Sequence, residues 1–354
     1  MIIPTEPIGS IPRAPALMAA FRDYENGRLP QAEFDAICEG AVRDTIERFE
    51  ATGSPVISDG EQTKPSFATY PIHGLANLDP HGIKIEFADG HYRQLPRLVR
   101  GPFRYRSYAF SCLERAKKYA HRPLKQAVIS PSALSLLYPA EGLPGYPREQ
   151  FLEELLGEAT ADIRGCLERG AHGVQIDFTE GRLAVKLDPS GQLLQSFISL
   201  LNGLLERFSA DERTRIGVHT CPGGDRDSTH SADVDYAALL PSLFKVQAGG
   251  FFIQLASEAD RRRVLRIVRE HLGAGQRVFV GVIDPISPRV ETPEEVCART
   301  LEAAEFIAPS QLGTTDDCGF SPFGDDVSTA RETAFAKIAA RVKGTQLAAA
   351  WLSP

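Results

Sequence analysis

The chain has 354 residues, 43% of them hydrophobic and 24% charged, enough to bury one large core that a single α/β barrel with insertions would use in full. A formal net charge of −7, with lysines and arginines scattered, argues against nucleic acid as a partner, and Arg97, Arg100, Arg104 and Arg106 read as a solvated face. No apolar run reaches the roughly 20 residues of a membrane span, the N-terminus lacks a basic signal region, and six cysteines without framework spacing suit free thiols in a reduced cytoplasm.

Taken in chain order, short β-rich runs alternate with helical patterns. Strands are expected at 6–11, 55–60, 126–130, 173–177, 215–220, 250–255, 277–283 and 311–316. Amphipathic helices are expected at 149–169, 193–208, 258–271, 293–307 and 327–342. Ser257 and Thr292 suit N-caps, and Pro293 suits a first helical position. One segment breaks the alternation: 81–87 and 91–95, joined through Ala88-Asp89-Gly90, form a β-hairpin inserted at 68–106 after the second strand. A lid and an oligomer contact are both open for it. Eight parallel strands predict a single-domain (β/α)8 TIM-type barrel over 1–354. A doubly wound sheet would need a Gly-rich phosphate fingerprint that is absent.

Unusual residues fall at the expected strand ends: Ser10, Glu61, Asp177, His219, Cys221, Gln254, Asp284 and Cys318. In a barrel these ends converge on one face, where active sites form. His219 and Cys221 are two residues apart, so on a strand both side chains face one ion. Barrel closure would bring Cys318 toward them. One imidazole and two thiolates suit zinc and leave a position open for a substrate; a buried histidine with two inert thiols is the bland alternative.

Several segments, in order, carry a resemblance: Pro7-Ile8-Gly9-Ser10-Ile11-Pro12, Asp59-Gly60-Glu61, Gln175-Ile176-Asp177, His219-Thr220-Cys221, Gly281-Val282-Ile283-Asp284 and Asp317-Cys318-Gly319. Together they resemble the catalytic barrel of the cobalamin-independent methionine synthase family, including its short single-barrel members. The resemblance implies a zinc-dependent methyltransferase in which His219, Cys221 and Cys318 bind Zn²⁺, and a zinc-bound thiolate attacks a methyl or alkyl carbon. It also implies that Glu61 and Asp177 are the active-site carboxylates that take the ammonium of homocysteine, and that groups around Ile8 and Ser10 take its carboxylate.

This sequence departs from the family at three places. Gln254 stands where the family has a glutamate ligand, leaving the fourth zinc position doubtful, with Glu258 as a substitute from the next helix. Ile286 stands where the family has a histidine acid. Ser130-Pro131-Ser132 replaces a glycine-led loop, and Trp351, the one tryptophan, lies in the C-terminal tail. The expected partners are therefore a small homocysteine-like thiol and a methyl or alkyl donor that is folate, corrinoid or another electrophile. A homo-oligomer stays open. The alternatives are an alkyl or epoxide transferase resembling the epoxyalkane–coenzyme M enzymes, and a non-catalytic barrel binding zinc or an amino acid.

Overall fold

Six strands, Lys125–Ile129, Gly173–Asp177, Ile216–Thr220, Gly250–Ile253, Arg277–Ile283 and Leu312–Asp316, form one parallel sheet in chain order. The computed structural model describes residues 2–353; Met1 and Pro354, the ends of the expected domain, lie outside the described residues. Each strand is buried along almost its whole length, as parallel strands are when both faces are covered. Side chains alternate between those faces. Val174, Ile176, Ile216, Val218, Phe251 and Ile253 join the main core, while Phe252 and Phe279 stack with ring centroids 4.5 Å apart in a separate cluster with Ile8.

The first two expected strands are reduced to single bridges. Thr5 pairs parallel with Thr314 at one sheet edge, and Ile57 pairs parallel with Leu124 at the other. The two segments meet where Ile11 N–H donates to the Gly60 carbonyl at 3.0 Å and Ser58 Oγ donates to the Gly9 carbonyl at 2.7 Å. Pro4, Pro7, Pro12 and Pro55 carry no N–H, so these runs stay extended but cannot sustain a ladder.

The helices expected at 149–169, 193–208 and 293–307 are Arg148–Glu168, Gln192–Leu205 and Pro293–Ala304. Thr292 caps the last of these in a full capping box, with Pro293 in its first turn. Ser257 is not a cap: the next helix begins at Arg261, capped by the Asp260 side chain, because Ser257 is held by Asp317 instead. The final helix starts at Arg331 and runs to Trp351. Two N-terminal helices, Pro15–Glu25 and Gln31–Ala51, add to the expected set. The second buries Cys38, Val42, Ile46 and Phe49 on one stripe.

Lys84–Glu86 pairs antiparallel with Tyr92–Gln94 around the expected turn. This ribbon is tied to the segment that follows Thr220. Ala88 N–H donates to the Thr229 carbonyl at 2.9 Å, and Arg93 bridges Asp225 at 2.6 Å and Asp325 at 2.8 Å.

Candidate metal centre

Register sets the first neighbours. Asp177, His219 and Phe252 lie opposite one another on three adjacent strands, so the imidazole has a carboxylate on one side and a backbone carbonyl on the other. His219 Nδ1 is 3.2 Å from the Phe252 carbonyl, an acceptor, which puts the proton on Nδ1 and a lone pair on Nε2. That Nε2 is buried and has no hydrogen-bond partner. Cys221 follows directly after the strand, and its Sγ is 3.1 Å from Cys318 Sγ; the three donor atoms all lie within 4.8 Å of one another.

The cysteines are free thiols. The hydrogen bond from Cys221, with His219 alongside, holds Cys318 well below the usual thiol range. The same bond, together with burial, pushes Cys221 up, so the pair shares one proton. A bare imidazole nitrogen beside two buried sulfurs is costly to leave unmet. A metal ion would meet all three, and a nitrogen-plus-two-sulfur donor set is one that suits zinc and leaves a position open.

Cys318 is positioned by its neighbour. The Asp317 carboxylate accepts N–H bonds from Leu255, Ala256 and Ser257, each at 2.8 Å, locking the end of one strand to the end of another. Burial pushes Asp317 up to about 7, although these donors oppose the rise. Gly281 makes room: a Cβ there would fall 1.8 Å from Asp317 Oδ1.

A cavity of about 260 Å³ opens on this corner. Ile8, Ser10, Glu61 and Asp177, the residues singled out in the sequence, all line it with His219 and Cys318. Glu61 adopts a left-handed backbone (φ 54°), fixed by Arg13, which donates to the carbonyls of Glu61 and Lys64 at 2.7 Å. Its Oε1 is 2.7 Å from the buried Lys64 ammonium. Asp177 Oδ1 accepts from Gln175 Nε2 at 2.7 Å, and Gln175 also reaches the Ile8 carbonyl. Burial pushes Asp177 up to about 7, against the pull of His219.

Gln254 is engaged away from the sulfurs. Its Oε1 accepts from Arg182 at 3.1 Å, and its Nε2 donates to Ser257 Oγ at 2.7 Å. Glu258 is likewise paired with Arg182, at 2.9 Å. The lining residues not singled out from the sequence include Glu180, His230, Asp325 and the ribbon's Arg93. For Glu180 a signal was present, a second acid three positions beyond Asp177.

The family model described as "Cobalamin-independent synthase, Catalytic domain" matches residues 3–340. The methionine synthase of Sulfurisphaera tokodaii is 22% identical over 351 residues, which is 98% of this chain and 92% of the relative. A 5-methyltetrahydropteroyltriglutamate–homocysteine methyltransferase from Nitratidesulfovibrio vulgaris is 24% identical over 90% of this chain and 38% of its own length. Among solved structures, a B12-independent methionine synthase from a Shewanella species in complex with selenomethionine superposes with a TM-score of 0.78 at 20% identity, covering 99% of each chain, and so shares the fold. With nearly its whole length matched, the chain belongs to the cobalamin-independent synthase family, across that family's catalytic domain.

Proposed function

We propose that this protein is a zinc-dependent thiol S-methyltransferase acting on homocysteine or a close amino thiol. The observation that carries this reading is the unmet His219 Nε2 beside Cys221 and Cys318, at the wall of a cavity that also holds Glu61 and Asp177. Relatives named as methionine synthases and as a homocysteine methyltransferase support it. Zinc held there would supply Lewis acidity that keeps a substrate thiol deprotonated at neutral pH.

The chain's own residues do the rest. Glu61 and Asp177 take the substrate ammonium, whose arrival favours the charged form of the buried Asp177. Groups around Ile8 and Ser10 take the carboxylate. Ile85, Phe87 and Leu95 cover the cavity and exclude water from the reacting sulfur. In this reading the Thr5 and Ile57 segments complete a single (β/α)8 barrel, and the ribbon within 68–106 is an inserted lid. Thiols kept free in this way suit a reducing, cytoplasmic compartment; among the described residues no helix is long and apolar enough to cross a membrane.

A second reading, alkyl or epoxide transfer to another thiol, is favoured by Ile286, which puts an aliphatic side chain where a proton donor would help an amine leave. Zinc-edge X-ray absorption on the purified protein separates the two. A new sulfur in the metal shell on adding homocysteine supports the first reading. A new sulfur only with a sulfonate thiol supports the second, and a metal-free native protein refutes both.

A further inference from the structure

Glu180 is the first residue of the Glu180–Leu187 helix, three positions beyond Asp177. It is 4% exposed and lines the same cavity as His219 and Cys318. Its Oε1 accepts the hydroxyls of both Ser130 and Ser132, whereas its Oε2 has no partner. Ser130 is held in turn by capping the next short helix, its Oγ accepting from Ala133 N–H at 3.1 Å. A buried carboxyl with one oxygen doubly bonded and the other bare is best satisfied as the neutral acid, with the proton on Oε2 and its acceptor supplied from the cavity. Burial pushes the group up to about 7, so it holds a proton near neutral pH, although the two serines pull the other way. The charged or titratable groups around it are Arg182 on its own helix, Asp177 on the preceding strand and, elsewhere on the cavity wall, Glu61, His219, His230, Arg93, Cys318 and Asp325.

We propose that Glu180 is the proton donor to the leaving heteroatom of the alkyl donor. This rests on the thiol-alkylation reading above. Ile286 lines a separate small hollow and offers no proton, whereas Glu180 is on the wall of the main cavity. The thiolate sulfur attacks the alkyl carbon, forming S–C as C–N breaks. The C–N electron pair goes to nitrogen, which takes the Oε2 proton. The carboxylate left behind is stabilised by the Ser130 and Ser132 hydroxyls, and solvent reprotonates it when the products leave.

The test compares wild type and Glu180→Gln, both zinc-loaded, with homocysteine and two donors: N-methyltetrahydrofolate, whose amine needs a proton, and S-methylmethionine, whose thioether does not. The expected result is a fall in kcat of about a hundredfold or more with the amine donor, and less than about threefold with the sulfonium donor. Wild-type kcat with the amine donor falls on the alkaline side, that limb is absent in Glu180→Gln, and Glu180→Asp recovers part of the rate. An equal fall with both donors assigns Glu180 a structural role and overturns the proposal, as does no fall with either. Independently of turnover, the infrared difference between wild type and Glu180→Gln at pH 6 should contain a protonated carboxyl C=O band, and its absence also overturns it. A wild type inactive with both donors sinks the methyl-transfer reading and this assignment together. An active wild type with an unaltered variant sinks this assignment alone.

Discussion

Two buried charged corners sit at the ends of the sheet strands, and they are built in opposite ways. At the turn after Ile283, the Lys337 ammonium donates to the carbonyls of Asp284 and Arg289 and to Glu291 Oε2, the last at 2.8 Å. Glu291 Oε1 in turn accepts Asp284 N–H at 2.9 Å. All three ammonium protons are used and both carboxylate oxygens are met. At the metal corner, His219 Nε2 and Glu180 Oε2 are just as buried and have no partner. Buried charge therefore marks no site by itself. An unmet donor or acceptor on a cavity wall does, because folding leaves its desolvation uncompensated until a ligand arrives.

The sharpest way to break this contrast is Cys318→Ser. Zinc should drop from about one per chain to near none, and thiol methylation by at least about a thousandfold, a loss of several kcal/mol of charge stabilisation. Metal analysis alongside kcat/KM checks this, and zinc retained at full activity would erase the distinction. The opposite corner should fail differently. Lys337→Met leaves buried Glu291 with Arg299, at 3.7 Å, as its remaining cation, and should cost up to about 3–5 kcal/mol in urea unfolding; adding Glu291→Leu should recover part of it, with zinc unaffected.

A smaller effect should appear in the pH dependence of stability. The Glu180 carboxyl is raised from 4.5 to about 7 on folding, so the native state holds a proton that the unfolded chain has released. Its contribution is fully present below about pH 4.5 and is lost as pH rises through about 7. Glu180→Gln should flatten that decline when urea midpoints at pH 5 and pH 8 are compared. A residual slope from Asp177 and Asp317, both also pushed up to about 7, should remain. The least change is expected from Gln254→Ala: with both ends of the amide engaged by Arg182 and Ser257, zinc content should not move, and a loss of zinc would bring Gln254 into the ligand set.

What could be read from sequence divides along the same line. His219 and Cys221 were legible because period-two spacing at a strand end is local, and Cys318 because parallel strands deliver their ends to one rim. Glu180 was visible as an acid near Asp177 but not as a cavity residue, since an acid in the first turn of a helix reads as a partner for the helix dipole. Its unmet oxygen depends on serines some fifty residues earlier. Gln254 was legible as a position but not as an interaction, because Arg182 lies 72 residues away in sequence. The prolines near both early strands were visible, but their effect, two bridges in place of two ladders, follows from the missing N–H groups and was not drawn from the pattern.

The three backbone bonds to Asp317 bear on how the metal would be acquired. They tie the end of the Leu312–Asp316 strand, which carries Cys318, to the end of the Gly250–Ile253 strand across the intervening Arg277–Ile283 strand, so the chain itself helps fix where the sulfur sits. A metal bound at this corner would then fill a site shaped largely by the fold, unlike a zinc finger whose chain orders around its ion. In that case a chelator should remove the metal without unfolding the chain.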